Sequence, residues 1–194
     1  MKNGPELWDK LLSELPESAI IAGGCVRDFI FGGEPKDIDI WLSDADMLKV
    51  YWEIQPAKDD RPEYDGGAIT YIWDYKVHGF DVQLVFVPGN VLEFLETFDL
   101  STSKARYRYK LVCDPDFMKA WETKTVTILK TKNYDRSLER AKRVCVKYPD
   151  FTLTDLNPYR EILIDVEAQF KEWNNFGIYN PQENPPAVQV VPIQ

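Results

Sequence analysis

Two aspartates, Asp37 and Asp39, stand one residue apart in "DIDIWL", and Ile38, Ile40 and Leu42 fill the alternate places. On a β-strand, alternate side chains share a face, about 6.6 Å apart along it. The pair can therefore aim two carboxylates at one point while the apolar residues turn to a core. Two such carboxylates repel unless a cation lies between them, and Mg2+ accepts carboxylate oxygens together with substrate phosphates. A two-ion site sets its metals roughly 3.5–4 Å apart and needs a third carboxylate. Asp81 is the candidate, in "GFDVQLVFV", where Asp81 and Gln83 alternate against Val82, Leu84 and Phe86. Upstream, Gly23 and Gly24 make a turn that lets a triphosphate approach the backbone, ahead of a helix whose first N–H groups favour an anion. Arg27 lies in the first turn of that helix and can add a charge-assisted contact to phosphate. A glycine pair alone also fits a plain turn, and D-x-D alone fits a solvated strand edge. Their order between Ala22 and Trp41 is what points to phosphoryl chemistry.

Several elements must position these groups. Leu7, Leu11, Leu12 and Leu15 recur at helical spacing, so "PELWDKLLSEL" reads as an amphipathic helix ended by Pro16. "AIIA" is a short buried strand and "CVRDFIF" a short helix stopped by Gly32-Gly33. Ser43 caps a helix over "DADMLKVYWEI". "KDDRPEYDGG" is a polar loop, and "AITYIWDYKV" and "FDVQLVFV" form a hairpin turning at His78-Gly79. "NVLEFLETF" is helical. "ARYRYKLV" and "TVTILK" read as strands flanking a helix near "PDFMKAWE". Two more helices follow, "DRSLERAKRVCVKY" and "REILIDVEAQFKEW". The tail, with four prolines, reads as poorly ordered or draped on the surface. The expectation is a mixed α/β pattern with one sheet.

The segment "GGCVRDFIFGGEPKDIDIW" resembles the head-domain signature of the class II tRNA nucleotidyltransferase and bacterial poly(A) polymerase family, within the DNA polymerase β-like superfamily. Gly23, Gly24, Val26, Arg27, Asp28, Gly32, Lys36, Asp37, Asp39 and Ile40 carry it. The resemblance implies that Asp37 and Asp39 bind two metal ions, Mg2+ or Mn2+, with Asp81 as the third acid. It implies too that the glycine turn and Arg27 engage an NTP. "TFDLSTSKARY" is similar to the family's sugar-contacting motif, which makes Asp99 the sugar-orienting residue, although Phe98 stands in place of arginine and Ser103 in place of asparagine. "LERAKRVCVKYPDF" resembles the arginine-rich helix, with Arg140 and Arg143 reaching phosphates or base. "NYDRS" does not supply the Glu-Asp-x-x-Arg base-selecting element, so CTP and ATP selection is not implied.

The resemblance runs from about residue 19 to 151. Too few residues remain for a long helical RNA-gripping body, which favours a compact, stand-alone form of the phage type. The expected layout is a catalytic head over residues 1–131, a helical neck-like segment over 132–173 and a tail over 174–194.

The totals narrow the remaining classes. A 44% hydrophobic and 13% aromatic chain of 194 residues can build a globular core. A net charge of −9 argues against a dedicated nucleic-acid binder and confines any phosphate contact to local strips such as Lys104, Arg106 and Arg108. Those three alternate as a strand would present them, toward solvent or toward substrate. Cys25, Cys113 and Cys145 are odd in number and scattered, so neither a disulfide framework nor a metal spacing is expected. Cys25 follows the glycine turn, where its thiol could be activated or could simply pack. His78, the single histidine, falls at a turn and leaves no Ser-His or Cys-His nucleophile. No apolar run approaches the roughly 18–20 residues that span a bilayer, nor is a secretory signal evident. The expected location is the cytoplasm, that of the host for a phage protein.

The expected fold is α+β, a polymerase β-like nucleotidyltransferase fold with a mixed, mostly antiparallel sheet backed by helices and a short C-terminal helical segment. The expected reaction moves a nucleoside monophosphate from an NTP to an acceptor hydroxyl and releases pyrophosphate. A tRNA or other RNA 3′ end is the favoured acceptor, with a small molecule or protein as alternatives. Two other classes fit the same residues: a nucleotide-binding module without turnover, and a host-modifying or toxin-like interaction protein. Label transfer from an NTP separates the first from an enzyme, and a modified host protein or tRNA supports the second.

Overall fold

The computed structural model describes residues 2–54, 69–77, 79–129, 131 and 133–154, all within the compact unit Met1–Leu156. Its elements run α1 (Pro5–Ser13), β1 (Ile20–Ala22), α2 (Gly24–Phe31), β2 (Ile38–Ser43), α3 (Met47–Ile54), β3 (Tyr71–Val77) and β4 (Phe80–Val87). They continue with α4 (Val91–Leu95), β5 (Ala105–Arg108), β6 (Lys110–Cys113), α5 (Pro115–Thr123), β7 (Thr125–Thr127), α6 (Tyr134–Lys147) and β8 (Thr152–Thr154). The main sheet has the order β3-β4-β2-β1-β5-β6 and is antiparallel except where β2 runs parallel to β4. This is the expected α+β architecture.

The alternation in β2 decides which way the sheet faces. Ile38, Ile40 and Leu42 are fully buried and meet Val82, Leu84 and Phe86 of β4 in register. Leu7, Trp8, Leu11 and Leu12 of α1 and Cys25 and Val26 of α2 close over that face. Burying each large aliphatic side chain contributes about 1.5–3 kcal/mol, so a one-residue slip of β2 would forfeit three such terms and expose the isoleucines. The opposite face carries Trp41, Val85 and Val87, packed with Val91 and Leu95 of α4 and with Phe94 and Phe98. A third cluster seats α6, through Ala141 and Val144, on Leu100, Val126, Ile128 and Phe151.

Four expectations change in detail. "ARYRYKLV" is two strands, not one, because Tyr109 adopts a left-handed φ of 60° and the chain reverses there. "TVTILK" gives β7, which leaves the main sheet and pairs in parallel with β8, so there are two sheets. The helix after Asn90 is only five residues long. Ser43 caps a 3-10 turn over Asp44–Asp46, accepting from the Ala45 N–H at 3.3 Å, before α3 begins. The loop read in "KDDRPEYDGG", His78, the helix "REILIDVEAQFKEW" and the tail lie outside the described residues. Among the described residues, no helix is long and apolar enough to cross a membrane.

Candidate functional site

β1 ends at Ala22, and the chain turns at Gly23 into α2. Gly23 has φ 86° and ψ −133°, a conformation that strains any residue with a Cβ. Its N–H donates to the Ala105 carbonyl at 3.1 Å, which ties the turn to β5. Space is not the constraint, since a Cβ at Gly23 would meet only the Phe98 ring, at 3.5 Å. The first turn of α2 leaves N–H groups without helical acceptors. α2 ends at Gly32, whose φ of 74° places it in the left-handed C-cap conformation.

Asp37, just before β2, and Asp39, within it, are both half-buried on the face opposite the α1–α2 core. The Asp39 carboxyl is pushed up to about 7, first by burial and then by the Asp37 charge, while Arg140, Arg27 and Lys36 pull it down. Charges from three separate segments thus act on the Asp39 carboxyl. Lys36 lies 3.8 Å from Asp37. Beneath the pair, Cys25 is buried, with its thiol 3.8 Å from the Ala22 carbonyl. Burial and the Asp39 charge push that thiol well above its ordinary range, so Cys25 packs and is not activated.

Asp81 stands on β4 one position before Val82, the partner of Ile38. In the β2–β4 register Asp39 stands beside Gln83. Asp81 is exposed and lies 3.2 Å from Lys76, its partner across β3–β4. Among the described residues, no three His, Cys, Asp or Glu side chains gather closely enough to hold a metal ion. Asp37 thus precedes β2 and Asp39 lies within it, while Asp81, level with Asp37 on the neighbouring strand, pairs with a lysine. Asp37 and Asp81 do share the wall of a groove of about 450 Å3, with Lys76, Tyr75 and Gln83. Two hard carboxylates in mutual repulsion fit a hard cation, so Asp37 and Asp39 suit Mg2+, with Asp81 at the rim.

Asp99 and Arg140 meet directly. Arg140 Nη1 donates to Asp99 Oδ1 at 2.6 Å, and the Ser137 hydroxyl donates to Oδ2 at 2.6 Å. Both oxygens of the expected sugar-orienting acid are engaged by α6. Arg143, one turn on, is exposed beside Glu139 and does not reach this cluster; with Lys142 it helps hold the Glu139 carboxyl below its usual range. Lys104 and Arg106 are also committed within the protein. Lys104 approaches Glu96 at 3.7 Å and Asp116 at 3.8 Å, and Arg106 approaches Glu96 at 3.6 Å. Arg108 donates to the Ala19 carbonyl at 3.0 Å and the Tyr109 hydroxyl at 3.1 Å. The strip expected to face solvent or substrate is a set of internal ties.

Asp28 belongs to the segment that carries the resemblance, but the sequence assigns it no role. It is 3% exposed and accepts from Arg27, Lys147 and Tyr148. Its α6 partners lie 119 and 120 positions away, and no local pattern announces them.

Several solved structures are similar to this fold. A tRNA-processing enzyme in apo form I matches with a TM-score of 0.59 at 18% identity, covering 94% of this chain and 50% of its own. A CCA-adding enzyme in complex with CTP matches at 0.58 and 15%, covering 87% and 45%. The Thermotoga maritima CCA-adding enzyme complexed with tRNA matches at 0.58 and 14%, covering 90% and 43%. The chain thus has a nucleotidyltransferase-like fold and spans half or less of the length of these structures. The model of the Gabija anti-defense 2 family, Gad2, matches residues 4–124, and the chain belongs to that family. No curated protein sequence matches it.

Proposed function

We propose that the chain is a metal-dependent nucleotidyltransferase that moves a nucleoside monophosphate from an NTP to an acceptor hydroxyl and releases pyrophosphate. The observation that carries this reading is the placement of Asp37 and Asp39 at the start of β2, which pairs with the β1 strand that runs into the Gly23 turn, with Lys36 3.8 Å from Asp37. The turn and Arg27 would hold the triphosphate, and Arg140 and Arg143 would supply further positive charge along α6. Asp99 would meet the sugar from its place beside Arg140. Asp37 and Asp39 would hold Mg2+, which when bound neutralises charge on the transferring phosphoryl group. Asp81, which lines the same groove as Asp37, would take the acceptor's proton once released from Lys76. The remaining work is positioning, as phosphoryl transfer requires.

The favoured acceptor is a tRNA or other RNA 3′ end, supported by the tRNA-handling relatives of this fold. A second reading comes from the family description, which names an action against Gabija. On that reading this is a compact phage-type protein working in the host cytoplasm, and transfer to a host protein or tRNA, or nucleotide binding alone, serves the anti-defence role.

The test is incubation with Mg2+ and each α-labelled NTP, offering total tRNA, a small-molecule extract and cell protein in turn. Label moved by the wild type but not by Asp37→Ala/Asp39→Ala supports transfer and identifies the acceptor. NTP binding without transfer to any acceptor supports the binding-module alternative instead.

A further inference from the structure

Asp28 is buried, yet it carries a full set of charged partners. Its Oδ1 accepts from Arg27 Nε at 2.8 Å, lies 2.7 Å from Arg27 Nη2 and accepts from the Tyr148 hydroxyl at 2.8 Å. Its Oδ2 accepts from Lys147 Nζ at 2.6 Å. Lys147 also donates to the Glu34 carbonyl, just beyond the end of α2. The network requires glycine at position 33, because a Cβ there would sit 2.3 Å from the Tyr148 hydroxyl. Arg27 is only 13% exposed, and its Nη2 would lie 3.5 Å from a Cβ on Gly24. Asp28 thus holds the guanidinium against the glycine turn by its Nε and Nη2 atoms.

A carboxylate left buried without partners is costly, and one with two cations and a phenol is compensated. Lys147 and Tyr148 belong to the end of α6, the helix that also brings Arg140 to Asp99. α6 is therefore fixed to the site twice, by Asp99 near its start and by Asp28 at its end. A network serving packing alone would not need to grip the guanidinium that abuts the turn.

We propose that Asp28 is a positioning residue of the triphosphate site: it sets the Arg27 guanidinium against the Gly23–Gly24 turn and locks that arrangement to α6 through Lys147 and Tyr148. This rests on the reading that the turn binds an NTP. The role differs from that of the metal-facing aspartates, because Asp28 points into the protein and acts through Arg27.

The test is a double-mutant cycle on the full chain, with Asp28→Asn, Arg27→Met and both together. Binding of Mg-ATP and of inorganic tripolyphosphate is measured by calorimetry well below each variant's melting temperature. Asp28→Asn should weaken both ligands about tenfold, and adding it to Arg27→Met should cost less than about twofold more, as coupled residues behave. Tyr148→Phe, which removes one hydrogen bond, should shift affinity in the same direction by a smaller factor; it carries the test should Asp28→Asn not fold. Losses that simply multiply, or a lower melting temperature with unchanged affinity in Asp28→Asn and Tyr148→Phe, would overturn the proposal and leave Asp28 a packing residue. A wild type that binds neither ligand would instead sink the nucleotide reading, and this inference with it.

Discussion

Arg140 donates to Asp99 at 2.6 Å, and its charge also offsets part of the upward push on the Asp39 carboxyl. One guanidinium therefore pairs with the acid that follows α4 and acts through its charge on the acid of β2. Removing it should do two separable things. Arg140→Met leaves Asp99, only 14% exposed, with the Ser137 hydroxyl as its remaining donor. The charge-assisted contact is partly solvated, so its loss should cost about 1 kcal/mol, read by urea unfolding. The same variant should lose at least about tenfold in nucleotidyl transfer, because a positive charge acting on Asp39 is gone. Arg143→Met serves as the control: it is exposed and outside this cluster, so its stability should stay within about 0.5 kcal/mol of wild type.

The two glycines that end α2 should fail for different reasons. Gly32 has open space around it but φ 74°, so Gly32→Ala should cost roughly 1 kcal/mol in backbone strain. Gly33 sits where a Cβ would press on the Tyr148 hydroxyl at 2.3 Å, which must shift away from Asp28. Gly33→Ala should therefore cost about 1–3 kcal/mol, as disturbed bonds to a buried charge do. Pairing it with Tyr148→Phe should recover part of that loss, since the crowding oxygen is gone. Equal costs for the two glycine variants with no recovery would refute this account. Thermal or urea unfolding of the three variants decides it.

The Asp39 carboxyl fixes a direction for pH dependence in metal-free protein. Its folded pKa, about 7, lies above the ordinary value of 3.8. The folded state thus binds more protons than the unfolded state between those values, and stability falls as pH rises. The contribution is fully present below about 3.8 and lost as pH climbs through about 7. Asp39→Asn removes this dependence, so its stability relative to wild type should improve steadily from pH 5 to pH 8. Mg2+ binding requires the ionised form, so Mg2+ should stabilise wild type more at pH 8 than at pH 5 and barely affect the variant. Urea midpoints across that range, with and without Mg2+, check both statements.

What the sequence revealed follows from how far apart the cooperating residues lie. The alternation of Asp39 with Ile38 and Ile40 reports a strand with one buried face, because a period of two is read within six residues. Gly23, Arg27 and the Asp37–Asp39 pair lie within twenty residues, so their order is visible without a structure. The break at Tyr109 is not, because tyrosine rarely takes a left-handed φ and nothing nearby marks a turn. The Asp28 and Asp99 networks draw donors from 38 to 120 positions away. Lys104 and Arg106 looked available for the same reason: Glu96 and Asp116 neutralise them only after the chain has folded.

Asp81 gives the sharpest test of the site because it can be changed without disturbing the fold. Its side chain is 61% exposed, and its partner Lys76 is 78% exposed, so the pair should contribute little to stability. Asp81→Asn should leave the unfolding midpoint within about 0.5 kcal/mol of wild type. If Asp81 takes the acceptor's proton, the same change should lower kcat by about 10²-fold or more with little effect on the NTP KM. Lys76→Met should have the opposite tendency, since it frees the carboxylate and cannot reduce turnover by losing a structural tie. Loss of transfer in Lys76→Met with full activity in Asp81→Asn would assign the groove's chemistry to the lysine and remove Asp81 from the site. Initial rates at saturating and limiting NTP for both variants distinguish the outcomes, because a positioning effect on the nucleotide would appear in KM while a proton-transfer role would appear in kcat.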